Sequence, residues 1–221
     1  DWASLAEAAA AFDAAGFQLH VHAIGDAGIR AALDAVEHGI SVGGRRDRRP
    51  VIAHTQVVHP ADLPRFAALG VVANLEPLWA QRDALMDELT APRLGPERTD
   101  WQYPMASLLR SGARVSFGSD WPVSSHVPLE GIRVAVTRTT DDGRPPGGWL
   151  PHERLTLEQA LTAYTAGVAY QSFEDDRGVL DVGARADVVV LDRDILAGPP
   201  DSVHEARVLG TWCAGTRTFP A

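Results

Sequence analysis

The chain contains one cysteine, Cys213, which excludes an intrachain disulfide framework and a cysteine-based metal cluster. It has no run of about 18 uncharged apolar residues, so no membrane-spanning helix is expected. Basic residues are few: 20 Lys and Arg stand against 29 Asp and Glu, for a formal net charge of −9. Nucleic-acid binding is not expected from that balance, and the one basic run, Arg45-Arg46-Asp47-Arg48-Arg49, reads as a solvated loop. The stretch Asp1-Trp2-Ala3-Ser4 has neither an initiator Met nor a basic n-region, so it is not expected to be a signal peptide, and a cytoplasmic location is expected. The abrupt start inside what reads as a helix predicts a fragment of a longer protein.

What is present is a globular composition. Over 221 residues the chain is 45% hydrophobic and 22% charged, which rules out disorder and allows one large domain, alone or with a small appendage. Residues 2–15 are Ala-rich, lack a breaker and read as a helix ended by Gly16. Phe17 to Ile24 is an apolar run with two histidines that reads as a strand, followed by a helix with apolar positions at Ile29, Leu33 and Val36. The alternation recurs: strand 51–54, helix 60–69, strand 71–75, a long polar loop over 76–103, helix 105–109, strand 114–117 and helix 128–138. Thr156 stands at the start of another predicted helix, 156–167. Strands alternating with helices imply a parallel α/β sheet. The tail differs, since 178–192 and 207–219 read as β-rich with no helix between them, as in a small β-sandwich.

Three polar residues fall where apolar strands end: His22 before Ala23-Ile24-Gly25-Asp26, His54 before Thr55-Gln56, and Asp120 after Gly118-Ser119. A lone histidine in an apolar strand is ordinarily a core residue, and an Asp after Gly-Ser is ordinarily a turn residue. Together, at successive strand ends, they suit a metal-dependent hydrolytic centre, because the carboxyl ends of parallel strands carry the active site in α/β barrels. A metal there lowers the pKa of bound water, and a nearby carboxylate can carry its proton to a leaving amine.

The stretches LHVHAIGD (19–26), IAHTQVVHPADLPRFAALGVVAN (52–74), RVSFGSDWPV (114–123), LTLEQALTAYTAGVAY (155–170) and GVLDVGARADVVVLDRD (178–194) resemble the amidohydrolase superfamily, in its YtcJ-like branch. The resemblance implies the C-terminal half of a (β/α)8 TIM barrel, about strands 5–8, over residues 1–175. Residues 176–221 would then be part of a composite β-sandwich. It implies that His22, His54 and Asp120 bind a divalent metal such as zinc, with Asp120 also the general base. The implied reaction is hydrolysis of a C–N bond in an amide, formamide or cyclic amide.

Glu76, Trp79, Trp121 and His126 are candidates for substrate contact. His20 and Asp26 are candidates for supporting the ligands, His20 as a packed residue lower in the barrel. The family's strand 1 His-x-His pair and strand 4 ligand have no counterpart. Four strands are legible where a full barrel needs eight and about 250 residues. The isolated chain is therefore expected to hold metal weakly and to be inactive alone. It would require the missing N-terminal half or self-association, since edge strands would otherwise be bare. The alternative is a non-catalytic half-barrel acting as a structural or assembly module.

Overall fold

The computed structural model describes residues 2–220, which form two compact units. The first comprises residues up to Leu75 together with Asp83–Ser116. It opens with α1 (Trp2–Ala14), β1 (His20–Ala23) and α2 (Asp26–Gly43). β2 (Val51–His54), α3 (Leu63–Leu69) and β3 (Val72–Leu75) follow. The sheet has the order β1-β2-β3-β4, where β4 is Arg114–Phe117. β1 pairs with β2 in parallel and β2 with β3 in parallel, in the registers His22↔Ala53 and Ile52↔Ala73. The parallel α/β arrangement expected from the alternation is thus present.

The helices form where apolar residues recur at helical spacing. α2 buries Ile29, Ala32, Leu33 and Val36 along one stripe and packs on α1. Ile29 and Leu33 are completely buried, each contributing about 1.5–3 kcal/mol by removal from water. Phe66 of α3 and Met105 and Leu108 of α5 (Met105–Arg110) complete the helical side of this core. Pro60 opens a short 3₁₀ turn that leads into α3, and Nδ1 of His59 accepts the Ala61 N–H there. Gly70 ends α3 in the left-handed conformation (φ 67°).

Two expectations change here. The stretch 76–103 is not a simple loop. It contains a 3₁₀ turn at Pro77–Trp79, a π-wound turn at Met86–Thr90 and the helix α4 (Ala91–Thr99). Gly95 interrupts α4 at φ 74° and Pro96 follows it, which is why composition there reads as loop. The basic run is not wholly solvated either. Arg48 and Arg49 are each 8% exposed. Arg48 donates to both carboxylate oxygens of the buried Asp13, at 2.8 and 3.0 Å, and Arg46 donates to it as well. The buried Asp13 carboxylate thus holds Arg48 and Arg46 inward, whereas Arg49 pairs with the exposed Asp47.

The second unit comprises Glu76–Arg82 and the residues from Phe117 onward. Its helices are α6 (Pro128–Thr137), α7 (Leu157–Tyr164) and α8 (Ala166–Gln171). The single expected helix over 156–167 is instead split at Thr165, whose backbone leaves the helical region (φ −115°, ψ −88°). α6 buries Ile132, Val134, Ala135 and Val136 and packs against the Pro77–Trp79 turn and α7. A three-stranded antiparallel sheet, in the order β5-β6-β7, is made by β5 (Val188–Leu191), β6 (Val208–Cys213) and β7 (Thr216–Phe219). Regular strand in 178–192 is confined to β5, and a 3₁₀ turn at Pro200–Glu205 lies between β5 and β6. Among the described residues no helix is long and apolar enough to cross a membrane.

Candidate metal-dependent active site

His22 and His54 stand toward the carboxyl ends of the neighbouring parallel strands β1 and β2. Their imidazole rings meet edge to face, with centroids 4.4 Å apart and an interplanar angle of 72°. His54 is buried and His22 is exposed. His54 and the next residue, Thr55, both adopt left-handed backbone conformations, with φ of 73° and 44°. Non-glycine residues rarely do so, and such residues cluster at functional sites.

His20 lies on the same face of β1 as His22, two residues earlier. It is exposed rather than packed in an interior, because β1 is the outermost strand of its sheet. Desolvation, and secondly repulsion from His54, hold its imidazole below the ordinary value. His20 and His22 border a groove of about 410 Å³ with Phe12, Phe17 and Leu19. Asp26 is the first residue of α2, and its Oδ1 accepts the Ala27 N–H at 3.0 Å. It lines a separate groove of about 330 Å³ with Trp2, Arg30 and His59.

The other candidates lie in the second unit. Asp120 is exposed, at φ 51°, in a turn that follows β4. Its carbonyl accepts the Val123 N–H at 2.8 Å, while the Ser119 hydroxyl accepts the Trp121 N–H and the Ser119 carbonyl accepts the Ser124 hydroxyl. The Trp121 and His126 rings are 6.4 Å apart, edge to face, and both side chains belong to exposed residues. Glu76 is only 3% exposed and precedes the Pro77–Trp79 turn, where its carbonyl accepts the Trp79 N–H. Trp79 is half-buried. Burial first, and then the charges of Glu76 and Glu130, push the Tyr164 hydroxyl well above its ordinary value.

Two imidazoles brought together on adjacent strand ends fit the nitrogen-donor preference of zinc and similar ions. Among the described residues no group of three or more His, Cys, Asp or Glu converges as a metal cluster. The first unit thus offers a two-imidazole set.

One group of residues escaped the sequence reading. Thr55, Gln56 and Gln102 build the turn that carries His54. Gln102 sits in a polar, proline-rich stretch without periodicity, and nothing local marks it.

The amidohydrolase family model matches residues 1–219. The chain belongs to the amidohydrolase family. It is 37% identical over 217 residues to Protein LONG AFTER FAR-RED 3 of Arabidopsis thaliana, a match covering 95% of this chain and 35% of that protein. It is 31% identical over 192 residues to the putative amidohydrolase YtcJ of Bacillus subtilis, covering 86% and 35%. It is 30% identical over 209 residues to N-substituted formamide deformylase of Arthrobacter pascens, covering 92% and 37%. The YtcJ-like branch expected from the motifs is therefore shown. Among solved structures, an uncharacterized metal-dependent hydrolase from Pyrococcus furiosus superposes with a TM-score of 0.70 at 29% identity, over 89% of this chain and 38% of that one. The chain spans between 35% and 38% of the length of these relatives. The family is therefore shown for this chain, while the metal dependence named for the Pyrococcus structure is that protein's.

Proposed function

We propose that this chain contributes the metal-binding strand ends of a hydrolase that cleaves a C–N bond in an amide, formamide or cyclic amide. The observation that carries the reading is the edge-to-face pair His22–His54 on neighbouring parallel strand ends, with His54 held in a rare backbone conformation. Likeness to a formamide deformylase supports the choice of bond. In this reading residues 1–175 form the strand 5–8 half of a (β/α)8 barrel and residues 176–221 part of a β-sandwich. The remaining barrel, or a second copy, completes the site, and the protein works in the cytoplasm on a small molecule.

His22 and His54 would hold the divalent ion, zinc by preference, and Asp120 would join them once the site is complete. When bound there, the ion would supply Lewis acidity at the substrate carbonyl. Asp120 takes a proton on its carboxylate from the attacking water and delivers it to the departing nitrogen. Its exposure leaves that carboxylate open to solvent and substrate. Trp121, His126, Trp79 and Glu76 would line the substrate side, with His20 and Asp26 supporting the ligands. The second reading is a non-catalytic half-barrel module.

The test is elemental analysis of the purified chain, with its solution mass recorded on the same sample, beside hydrolysis of N-substituted formamides by the natural gene product. A bound transition metal and metal-dependent release of amine are expected of the natural gene product, and weak or no metal of the chain alone. A natural gene product with neither metal nor turnover on amides would sink the enzymatic reading in favour of the module.

A further inference from the structure

The turn carrying His54 is braced from a distant part of the sequence. His54 and Thr55 hold left-handed conformations in succession, which persist only where surrounding contacts over-determine them. One contact is local: the fully buried Thr55 donates its hydroxyl to the Ile52 carbonyl at 2.7 Å. Others come from residues 101–103. The Gln56 side-chain amide donates to Oε1 of Gln102 at 3.0 Å, and Val57 forms an isolated antiparallel bridge with Gln102. The Tyr103 N–H donates to the Gln56 carbonyl at 2.7 Å, and the Val58 N–H donates to the Trp101 carbonyl at 3.2 Å. Gln102 is completely buried, and its own amide donates to Sδ of Met86 at 3.3 Å. Both ends of this amide are therefore used. Were Gln102 needed only to fill space, a leucine would do so without the cost of burying a polar group.

We propose that Gln102 is a positioning residue of the candidate metal centre: through Gln56 it fixes the 54–55 turn and so directs the His54 imidazole toward His22. In this role Gln102 is not a ligand, and its side chain reaches the turn through the Gln56 amide. The inference rests on the reading of His22 and His54 as ligands, but its central measurement does not require metal.

The experiment compares the wild-type chain with Gln102→Leu, Gln56→Leu and Gln102→Glu. Gln102→Glu keeps the acceptor for the Gln56 amide. In the metal-free chain, an NMR cross-peak between the His22 and His54 ring protons is expected. It should vanish in both leucine variants, with the His54 ring carbon resonances shifted or broadened, and persist in Gln102→Glu. Cobalt(II) titration should weaken about 10-fold or more in the leucine variants, the loss typical of removing an outer partner of a metal ligand. Unchanged His54 resonances and cross-peak in the leucine variants overturn the proposal, whatever happens to the melting temperature. Gln56 is only half-buried, so its variant decides the matter if Gln102→Leu does not fold. Cobalt binding that is equal in the wild type and His54→Ala removes the ligand reading instead, and the ring cross-peak still judges Gln102.

Discussion

The rings of His22 and His54 lie 4.4 Å apart at the ends of the parallel strands β1 and β2, in the register His22↔Ala53, because the left-handed backbone of His54 breaks the alternation that would turn it to the opposite face. That register places His54 one step beyond the partner of His22, across a strand spacing of about 4.8 Å. In the proposed reading the two imidazoles would bind a divalent ion as a pair, so each should matter. His22→Ala and His54→Ala are expected to lower zinc or cobalt affinity by more than the roughly 10–100-fold typical of losing an outer partner. Isothermal titration of the chain with zinc reads this directly. The double variant should be little worse than either single one, since a lone imidazole is a poor site.

Asp13 provides a pH-dependent contribution to stability. Burial pushes its carboxyl up, but the hydrogen bonds and charges of Arg48 and Arg46 outweigh burial and leave it below the ordinary value. A carboxyl lowered on folding stabilises the protein fully above its unfolded pKa, near 4. That stabilisation is lost as pH falls through the folded value. Asp13→Asn should cost about 3–5 kcal/mol at pH 7, because it leaves the guanidinium charge of the nearly buried Arg48 without its partner. Thermal melts from pH 7 down to pH 3 should show the wild type and variant converging in acid.

The strand ends were legible because their signal is local. An apolar run that meets Gly-Asp or Gly-Ser marks where a buried strand gives way to a loop, with the polar residue before that pair at His22 and after it at Asp120. The Asp13–Arg48 pair was not, since its members are 35 positions apart and no periodicity links them. Arg48 taken alone is one charge in a basic run. Residues 91–99 were hidden for another reason: Pro92, Gly95 and Pro96 argue against a helix, yet a kinked one forms. Gln102 likewise gains its role only through partners 46 and 16 residues away.

Thr156 was legible as a helix start, and the structure shows a complete capping box. Its hydroxyl accepts the Gln159 N–H at 3.2 Å, while Oε1 of Gln159 accepts the Thr156 N–H at 2.9 Å. α7 has only 8 residues, so its first turn is a large part of it. Thr156→Ala should destabilise by about 1 kcal/mol, and Thr156→Ser should be near neutral. Urea unfolding should report this as a lower midpoint with an unchanged slope.

Gly131 lies inside α6, where alanine would ordinarily gain about 1 kcal/mol in helix propensity. The sign should reverse here. A Cβ at 131 would lie 2.2 Å from the Tyr164 hydroxyl oxygen and 3.1 Å from Cγ of Pro77. Tyr164 has little freedom to withdraw, since its ring is held edge to face against Phe117 at 5.3 Å and its hydroxyl is buried. Gly131→Ala should therefore cost about 1–3 kcal/mol by overpacking. Tyr164→Phe removes the oxygen at the point of closest approach and leaves the ring carbon at 3.2 Å. The double variant should recover part of the loss, and a double-mutant cycle in urea should give a coupling of about 0.5–3 kcal/mol. Additive single effects would mean that α6 shifts to accommodate the methyl group, and that Tyr164 does not set the position of that helix.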